Sequence, residues 1–350
     1  MKGKGLIIIG VLVVLGFVGY NYIEKIFGAN VSTPEGKEFV FFIPPSQHDF
    51  KRAGVDYREV GQMLLDDKLI RDPEAFHWVA EQMNYPRHVY PGRYILKDGM
   101  STRELITLLR SGQQTPMNFT FVKFRTKEQL AEYVGEELAM NKQQMLDVFA
   151  DTEFLKKHNG LTPETAMAIF IPNTYEMYWN ISPRAFFDKM FDQYKVYWND
   201  DRNAKRRKLK LNRLEVMTLA SIVEEETNKN DEKGRVAGVY LNRIRKGMPL
   251  QADPTVKFAV GDFTLRRILN KHLQTDSPYN TYLYPGLPPA PICTPSLPSI
   301  EAVLNSEKHD YLYFCAKIEG DGYHKFSRSL SEHERYADQY RAMLTQRGIK

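Results

Sequence analysis

Residues Leu214–Thr227 read LEVMTLASIVEEET, and the interpretation of the whole chain turns on them. Val216, Leu219, Ala220, Val223 and Thr227, joined by Ile222, recur at helical spacing before three consecutive glutamates end the run. A helix advances about 100° per residue, so Glu224, Glu225 and Glu226 cannot share a face. Glu226 follows Leu219 by seven residues, Ile222 by four and Val223 by three, which places it on the apolar side. Glu224 and Glu225 swing toward the flank and the opposite side. A carboxyl group among apolar neighbours loses hydration, its charged form is disfavoured and its pKa rises. A general acid working near neutral pH needs that shift. The competing reading pairs Glu226 with a nearby cation such as Arg243.

Downstream, Lys233–Lys246 carries Val236, Val239, Tyr240 and Ile244 along one helical side and stops at Gly247. LQADPTVKF (Leu250–Phe258) follows, then YNTYLYPGLPPAPICTP (Tyr279–Pro295) inside a proline- and tyrosine-rich stretch, Pro278–Pro298, too irregular for regular secondary structure. Aromatic faces and amides in such a loop suit sugar recognition, and a loop of this length is a plausible lid. Asp-Pro, Pro-Gly and Pro-Pro also mark turns with no function attached. Asp253 is the best second carboxylate for a conventional two-acid glycosidase. His324 and His333 flank HKFSRSLSEH near the end; either could orient a carboxylate or be a satisfied structural histidine.

Upstream, FVFFIP (Phe39–Pro44) reads as a strand after a polar linker, Asn30–Lys37. Val60, Met63, Leu64 and Leu69 have helical spacing. Asp72-Pro73 starts a helix through Phe76, Val79 and Ala80, and Pro91-Gly92 turns into the short strand Arg93–Leu96. Ser101 with Glu104 forms a capping-box pattern before Leu105, and Gly112 stops that helix. Another strand, MNFTFVK (Met117–Lys123), opens a helical region reaching about Trp198, with Thr126 and Gln129 as a second capping-box pattern and a break at Ile171–Thr174. The basic run RNAKRRKLKLNR (Arg202–Arg213) reads as a solvated helix face or linker, or as a contact for anionic lipid or wall polymer.

The first apolar run is LIIIGVLVVLGFVGYNYI, Leu6–Ile23, interrupted only by Asn21. Its length falls within the ~17–25 residues of a membrane-spanning helix. Lys2 and Lys4 before it put the N-terminus in the cytoplasm, and Tyr20 and Tyr22 sit at interfacial depth. A cleaved signal peptide is the rival, but Tyr22, Ile23, Glu24 and Lys25 occupy the ground a small-residue cleavage site would need. The expected location is therefore the cytoplasmic membrane, single-pass, with everything after about Lys25 outside.

The composition agrees with a folded chain. Of 350 residues, 26% are charged and 12% aromatic, which excludes disordered and collagen-like classes. A formal charge of +5 is too small to imply nucleic acid. Cys293 and Cys315 cannot build a disulfide scaffold or a four-ligand zinc site; they are two thiols, or one disulfide outside the cytoplasm. There is no Walker loop, glycine fingerprint, HExxH or GxSxG, so no cofactor or metal is expected.

Several of these segments recur in one order: PGRYILKDGMSTRELITLLRSG (Pro91–Gly112), ASIVEEET (Ala220–Thr227), LNRIRKGMPLQADPTVKF (Leu241–Phe258), YNTY with GLPPAPI (Tyr279–Ile292), and YLYFCA with HKFSRSLSEH (Tyr311–His333). In them the chain resembles the MltG, or YceG-like, family of endolytic murein transglycosylases. The resemblance implies an α+β protein: residues 1–5 cytoplasmic, 6–23 spanning, 24–37 a linker, 38–114 a LysM-like module and 115–350 the catalytic domain, helical over 124–212 with its core at 213–345. It implies cleavage of the N-acetylmuramic acid–N-acetylglucosamine bond of peptidoglycan to 1,6-anhydromuramyl ends, and a peptidoglycan synthase as partner. The family's essential glutamate, the one before threonine, maps onto Glu226. Glu224, Gln251, Asp253, Tyr279, Asn280 and Tyr282 are the expected substrate contacts. Where the family often has EGxFxPDTY, this chain reads AIFIPNTYEMYW, with Asn173 in the aspartate position; Ala290 stands where glycine is common. The rival classes are a non-catalytic wall-binding scaffold and an ordinary hydrolase.

Overall fold

Apolar periodicity and caps translate into elements along most of the chain. The computed structural model describes residues 2–265 and 267–346, without the side chains of 2–7, 344 and 346. Two units are present: one holds the chain up to Phe119 with Gly135–Asn141 and Tyr175–Ser182, and the other holds Thr120–Val134, Lys142–Thr174 and the chain from Pro183 on.

The first unit opens with α1 (Lys2–Phe27), whose stretch Ile8–Phe27 is long and apolar enough to cross a membrane. From Ile8 on its side chains are largely exposed, but its last two turns pack: Tyr22 lies against Trp78 at 5.3 Å and Ile26 touches the core. The polar stretch after it is docked. Asn30 is buried, its amide donating to Asp72 O and Thr102 Oγ1 while its Oδ1 accepts from the Arg71 and Asp72 amides. Strand β1 (Phe39–Ile43), helices α2 (Tyr57–Asp66) and α3 (Pro73–Gln82), strand β2 (Gly92–Leu96) and helix α4 (Thr102–Ser111) follow. β1 and β2 pair antiparallel, Phe41 opposite Tyr94, and the helices bury Val60, Leu64, Phe76, Leu105 and Leu109 against them. The caps form where their residues stand: Asp56 with Glu59, Asp72 before Pro73, Ser101 with Glu104. Gly112 ends α4 at φ +66°, a left-handed conformation that glycine adopts without strain.

Strand β3 (Met117–Thr120) pairs with β4 (Thr174–Met177). The strand expected through Lys123 stops at Thr120: Phe121 N still donates to Asn173 O beside β4, but by Phe124 the chain has turned to another partner, its N donating to Thr294 Oγ1. Helices α5 (Lys127–Glu137), α6 (Lys142–Ala150), α7 (Thr152–Lys156), α8 (Pro183–Tyr197) and α9 (Asp200–Leu209) make the helical region. The second capping box forms only in part. Thr126 Oγ1 accepts from Gln129 N, while Gln129 turns to the Arg125 amide instead of that of Thr126. The basic run falls on α9 and its exit, where Arg202 pairs with Glu301 and Lys205 with Asp201.

Helix α10 (Arg213–Glu226) is the centre of the second unit. Asn212 and Glu215 close a capping box at its start, and every residue from Val216 to Val223 is buried. It is enclosed by α11 (Asn230–Arg245), α12 (Asp253–Val260) and α14 (Leu297–Leu304), with α13 (Asn270–Leu273) before the irregular loop. A hairpin of β5 (Tyr313–Ala316) and β6 (His324–Ser327) and helix α15 (Leu330–Gln346) complete the unit. α10 is thus buried around its circumference, where sequence spacing predicts one apolar stripe. Helices on several sides, all distant in sequence except α11, account for the difference.

Candidate active site

The three glutamates at the end of α10 are sorted by their partners. All three are partly buried. Glu224 reaches Ser296 and Ser299 Oγ, both at 2.5 Å, and Lys233 Nζ at 3.0 Å. Burial pushes its pKa up, but those hydroxyl and ammonium donors outweigh it and hold the carboxyl below the ordinary range. Glu225 is likewise opposed by burial and kept ionised by Lys123 at 2.8 Å and Arg125 at 2.7 Å. Among the described residues Glu226 has no cation in salt-bridge contact. Its Oε1 accepts from Tyr240 Oη at 2.5 Å, and loss of hydration raises its pKa to about 7. Tyr240's hydrogen bond and the charge of Arg243 oppose the rise, and the charge of Asp253 adds to it. Of three adjacent carboxyls, Glu226 alone is poised to carry a proton near neutral pH.

Glu226 lines a cleft of about 420 Å³ with Tyr240 and Arg243 from α11, Gln251 and Asp253 from the start of α12, and Tyr282 from the loop. Tyr313, Phe314, Cys315 and Ala316 of β5, with His324 and His333, form another wall. Arg243 does not bond Glu226. Its Nε donates to Leu312 O and its Nη1 to Pro249 and Leu250 O, with Gln251 Oε1 at 3.5 Å, so it knits the walls together and lies over the Tyr313 ring at 5.0 Å. Asp253 Oδ1 accepts from Tyr282 Oη at 2.7 Å. Gln251 takes φ +49°, its amide donating to Thr281 O; this unusual backbone turns the chain into α12 at the cleft's edge.

Glu226, Gln251, Asp253 and Tyr282 therefore meet in one place. The other expected contacts lie outside it. Glu224 is saturated by Ser296, Ser299 and Lys233. Asn280 is fully buried, its amide donating to Leu273 and Thr275 O and its Oδ1 accepting from Tyr282 N, so it holds the turn that presents Tyr282. Tyr279 packs on Phe258 at 4.7 Å. The far end of the Tyr279–Pro295 loop is not a lid. Ile292, Cys293 and Thr294 are buried, Ile292 N donating to Ser221 Oγ and Thr294 N to Phe124 O, so this part belongs to the core.

His324 Nδ1 is 2.7 Å from Glu232 Oε2, and its amide donates to Glu232 Oε1. His333 stacks on Tyr313; burial and then the charge of Arg243 lower its pKa, favouring the neutral ring. Cys293 and Cys315 are both free thiols, Cys315 only partly buried. Among the described residues no group of three histidine, cysteine, aspartate or glutamate side chains converges as metal ligands would. Sequence reasoning missed Tyr240 as the partner of Glu226. Its place on the apolar side of its helix was visible; that this side faces the end of α10 was not.

Comparison with known proteins places the chain. The model of the YceG-like family matches residues 52–339. A Bacillus subtilis (strain 168) protein named endolytic murein transglycosylase is 29% identical, the match covering 82% of this chain and 83% of that protein. A Streptococcus pneumoniae (strain R6) protein of the same name is 26% identical over 94% of this chain, which spans 63% of that longer relative. A crystal structure of a YceG-like protein from Listeria monocytogenes aligns with TM-score 0.57 and 27% identity, covering 86% of this chain and 99% of that one. The matched residues begin after β1 and run from α2 through β2 and α4 into the domain that holds Glu226: this chain belongs to the YceG-like family.

Proposed function

We propose that this protein is a membrane-anchored lytic transglycosylase that cuts peptidoglycan glycan strands internally at the N-acetylmuramic acid–N-acetylglucosamine bond and leaves 1,6-anhydromuramyl ends. The names of its relatives support the reaction class. The observation that carries the reading is Glu226, lifted to a pKa of about 7 and held by Tyr240 in a cleft of about 420 Å³.

Tyr240 occupies Oε1, so the transferable proton of Glu226 belongs on Oε2. That proton passes to the glycosidic oxygen as the bond to C1 of the muramyl ring breaks and C1 gains positive charge. The C6 hydroxyl oxygen of the same sugar then bonds to C1 and returns its proton to the Glu226 carboxylate. One carboxyl serves as acid and then base, and no water is consumed. The charge of Asp253 favours the neutral form of Glu226 beforehand and stabilises the positive C1 during the step. The aromatic walls of Tyr282 and Tyr313 exclude water from C1.

α1 supplies the anchor, and Lys2 and Lys4 before the span argue for a cytoplasmic N-terminus with the catalytic domain outside the membrane. The β-α-α-β order of β1, α2, α3 and β2 supports a LysM-like glycan-binding role for the first unit. Held beside the membrane, the enzyme would meet nascent strands, end their elongation by cutting them, and work alongside a peptidoglycan synthase.

Asp253 in the same cleft favours hydrolysis as a second reading, with Asp253 activating water. Mass spectrometry of products from the full-length protein in detergent and uncrosslinked glycan strands separates the two. Anhydromuramyl ends that fall by at least ~10²-fold in Glu226→Gln are the expected result, from the usual worth of acid–base catalysis. Reducing muramic ends establish the hydrolase. Glycan binding without cleavage by the wild type leaves a non-catalytic scaffold.

A further inference from the structure

At the opposite end of α10, ~20 Å from Glu226 by helical rise over its 14 residues, lies a second cleft of about 370 Å³. Two arginines on its wall, Arg206 and Arg213, converge on one atom: each donates its Nε to Asn203 Oδ1, at 2.9 and 3.2 Å. Arg206 spends one further N–H on Leu211 O. Among the described residues neither guanidinium has a carboxylate partner, in contrast with Arg202 and Lys205 on the same helix. Nor does any aspartate or glutamate line the cleft.

Two guanidiniums held this close repel each other, and an unpaired pair on a cavity wall is normally relieved by an acid. Among the described residues that line this cleft the acid is absent. Among the described residues Arg213 Nη1 and Nη2 and Arg206 Nη2 donate no hydrogen bond; the Arg213 guanidinium lies over the Trp198 ring at 5.8 Å, and the planar forks of both arginines match phosphate geometry. The first turn of α10 borders the same space, its cap already closed by Asn212 and Glu215.

We infer that this cleft is a binding site for a phosphate-class oxyanion, gripped by Arg206 and Arg213 at the start of the helix that ends in Glu226. A dianion balances the two positive charges, which a single carboxylate would not. The oxyanion can come from a phospholipid headgroup or from a diphosphate that is not part of a bilayer lipid. The site is independent of any activity at Glu226.

The test is calorimetric titration of the full-length protein in a neutral detergent with inorganic diphosphate and, separately, with short-chain dihexanoylphosphatidylglycerol. Saturable binding of at least one probe is expected, weakened at least tenfold in Arg206→Gln/Arg213→Gln and unchanged in Lys208→Gln, an exposed lysine of the same helix. Tighter binding of the phospholipid assigns the source to a headgroup, and tighter diphosphate binding assigns it to a diphosphate. Binding of neither probe, or equal binding by the double variant, overturns the site. Should the double variant not fold, the melting temperature of the wild type decides. A rise with diphosphate beyond that with chloride at matched ionic strength upholds the site, and no rise overturns it.

Discussion

Tyr240 and Glu226 form the pair on which the proposed chemistry depends, and their 2.5 Å hydrogen bond has a defined sign. It stabilises the carboxylate and holds the pKa of Glu226 below where burial alone would take it. Tyr240→Phe is therefore expected to move the alkaline limb of the kcat/KM profile to higher pH, from its wild-type position near 7, while lowering the maximum. An unmoved limb would mean another group sets it. The same shift links to stability. The folded state holds the Glu226 proton up to about pH 7, whereas an unfolded glutamate loses it near 4.5. Between those values the folded state binds more protons, so its stability falls as pH rises, by up to ~3 kcal/mol across the interval. Glu226→Gln removes the titration. Its melting temperature is expected to exceed that of the wild type at pH 8 and to match it at pH 4.5; an equal offset at both pH values would contradict the linkage.

Among the elements, α10 is held by its neighbours through Glu224. That side chain draws Ser296 and Ser299, at the start of α14, and Lys233 of α11 onto one carboxylate. Lys233 is itself buried, and removing its counter-charge leaves an ammonium without compensation. Glu224→Gln is expected to destabilise the fold by ~3–5 kcal/mol, the usual penalty for breaking a buried pair, while KM of the folded fraction stays within twofold. A raised KM with an unchanged melting temperature would instead return Glu224 to substrate binding. Gly238 of α11 belongs to the same packing. A Cβ there would sit 2.6 Å from the carbonyl of Glu307 and 2.5 Å from His309 Nε2, so only glycine lets this helix approach that chain.

For the whole molecule the decisive feature is α1. Its apolar stretch is exposed from Ile8 onward, yet the helix continues unbroken into contacts with Trp78 and the core of the first unit. The apolar stretch and the β1–β2 module are thereby joined by one continuous helix. Deleting residues 2–21, which keeps Tyr22 and the packed last turn, is expected to shift the protein from the membrane pellet to the soluble fraction. Cleavage of soluble glycan strands should stay within about twofold. Persistence in the pellet would show that something other than α1 binds the membrane.

Local spacing was enough to read the ends of several helices. Asp72-Pro73, Ser101 with Glu104, and Gly112 act on backbone groups within a few residues, so their effect is written beside them in the chain. It also singled out Glu226, because a carboxyl three, four and seven residues from apolar positions must share their face, and it located the apolar run of α1. What spacing could not supply was the fate of the neighbouring glutamates. Glu225 meets Arg125 a hundred residues away and Glu224 meets Ser296 seventy-two away, while Tyr282 reaches Asp253 across twenty-nine. Nor could it show that the end of the proline-rich loop is core, since Ile292 is held by Ser221 on α10. Sequence records each residue's own preference, and contacts between remote segments exist only after the intervening chain has been closed around them. Thus the chain by itself determined which carboxyl could become an acid, and tertiary packing decided that, among the described residues, it alone of the three lacks a cation partner.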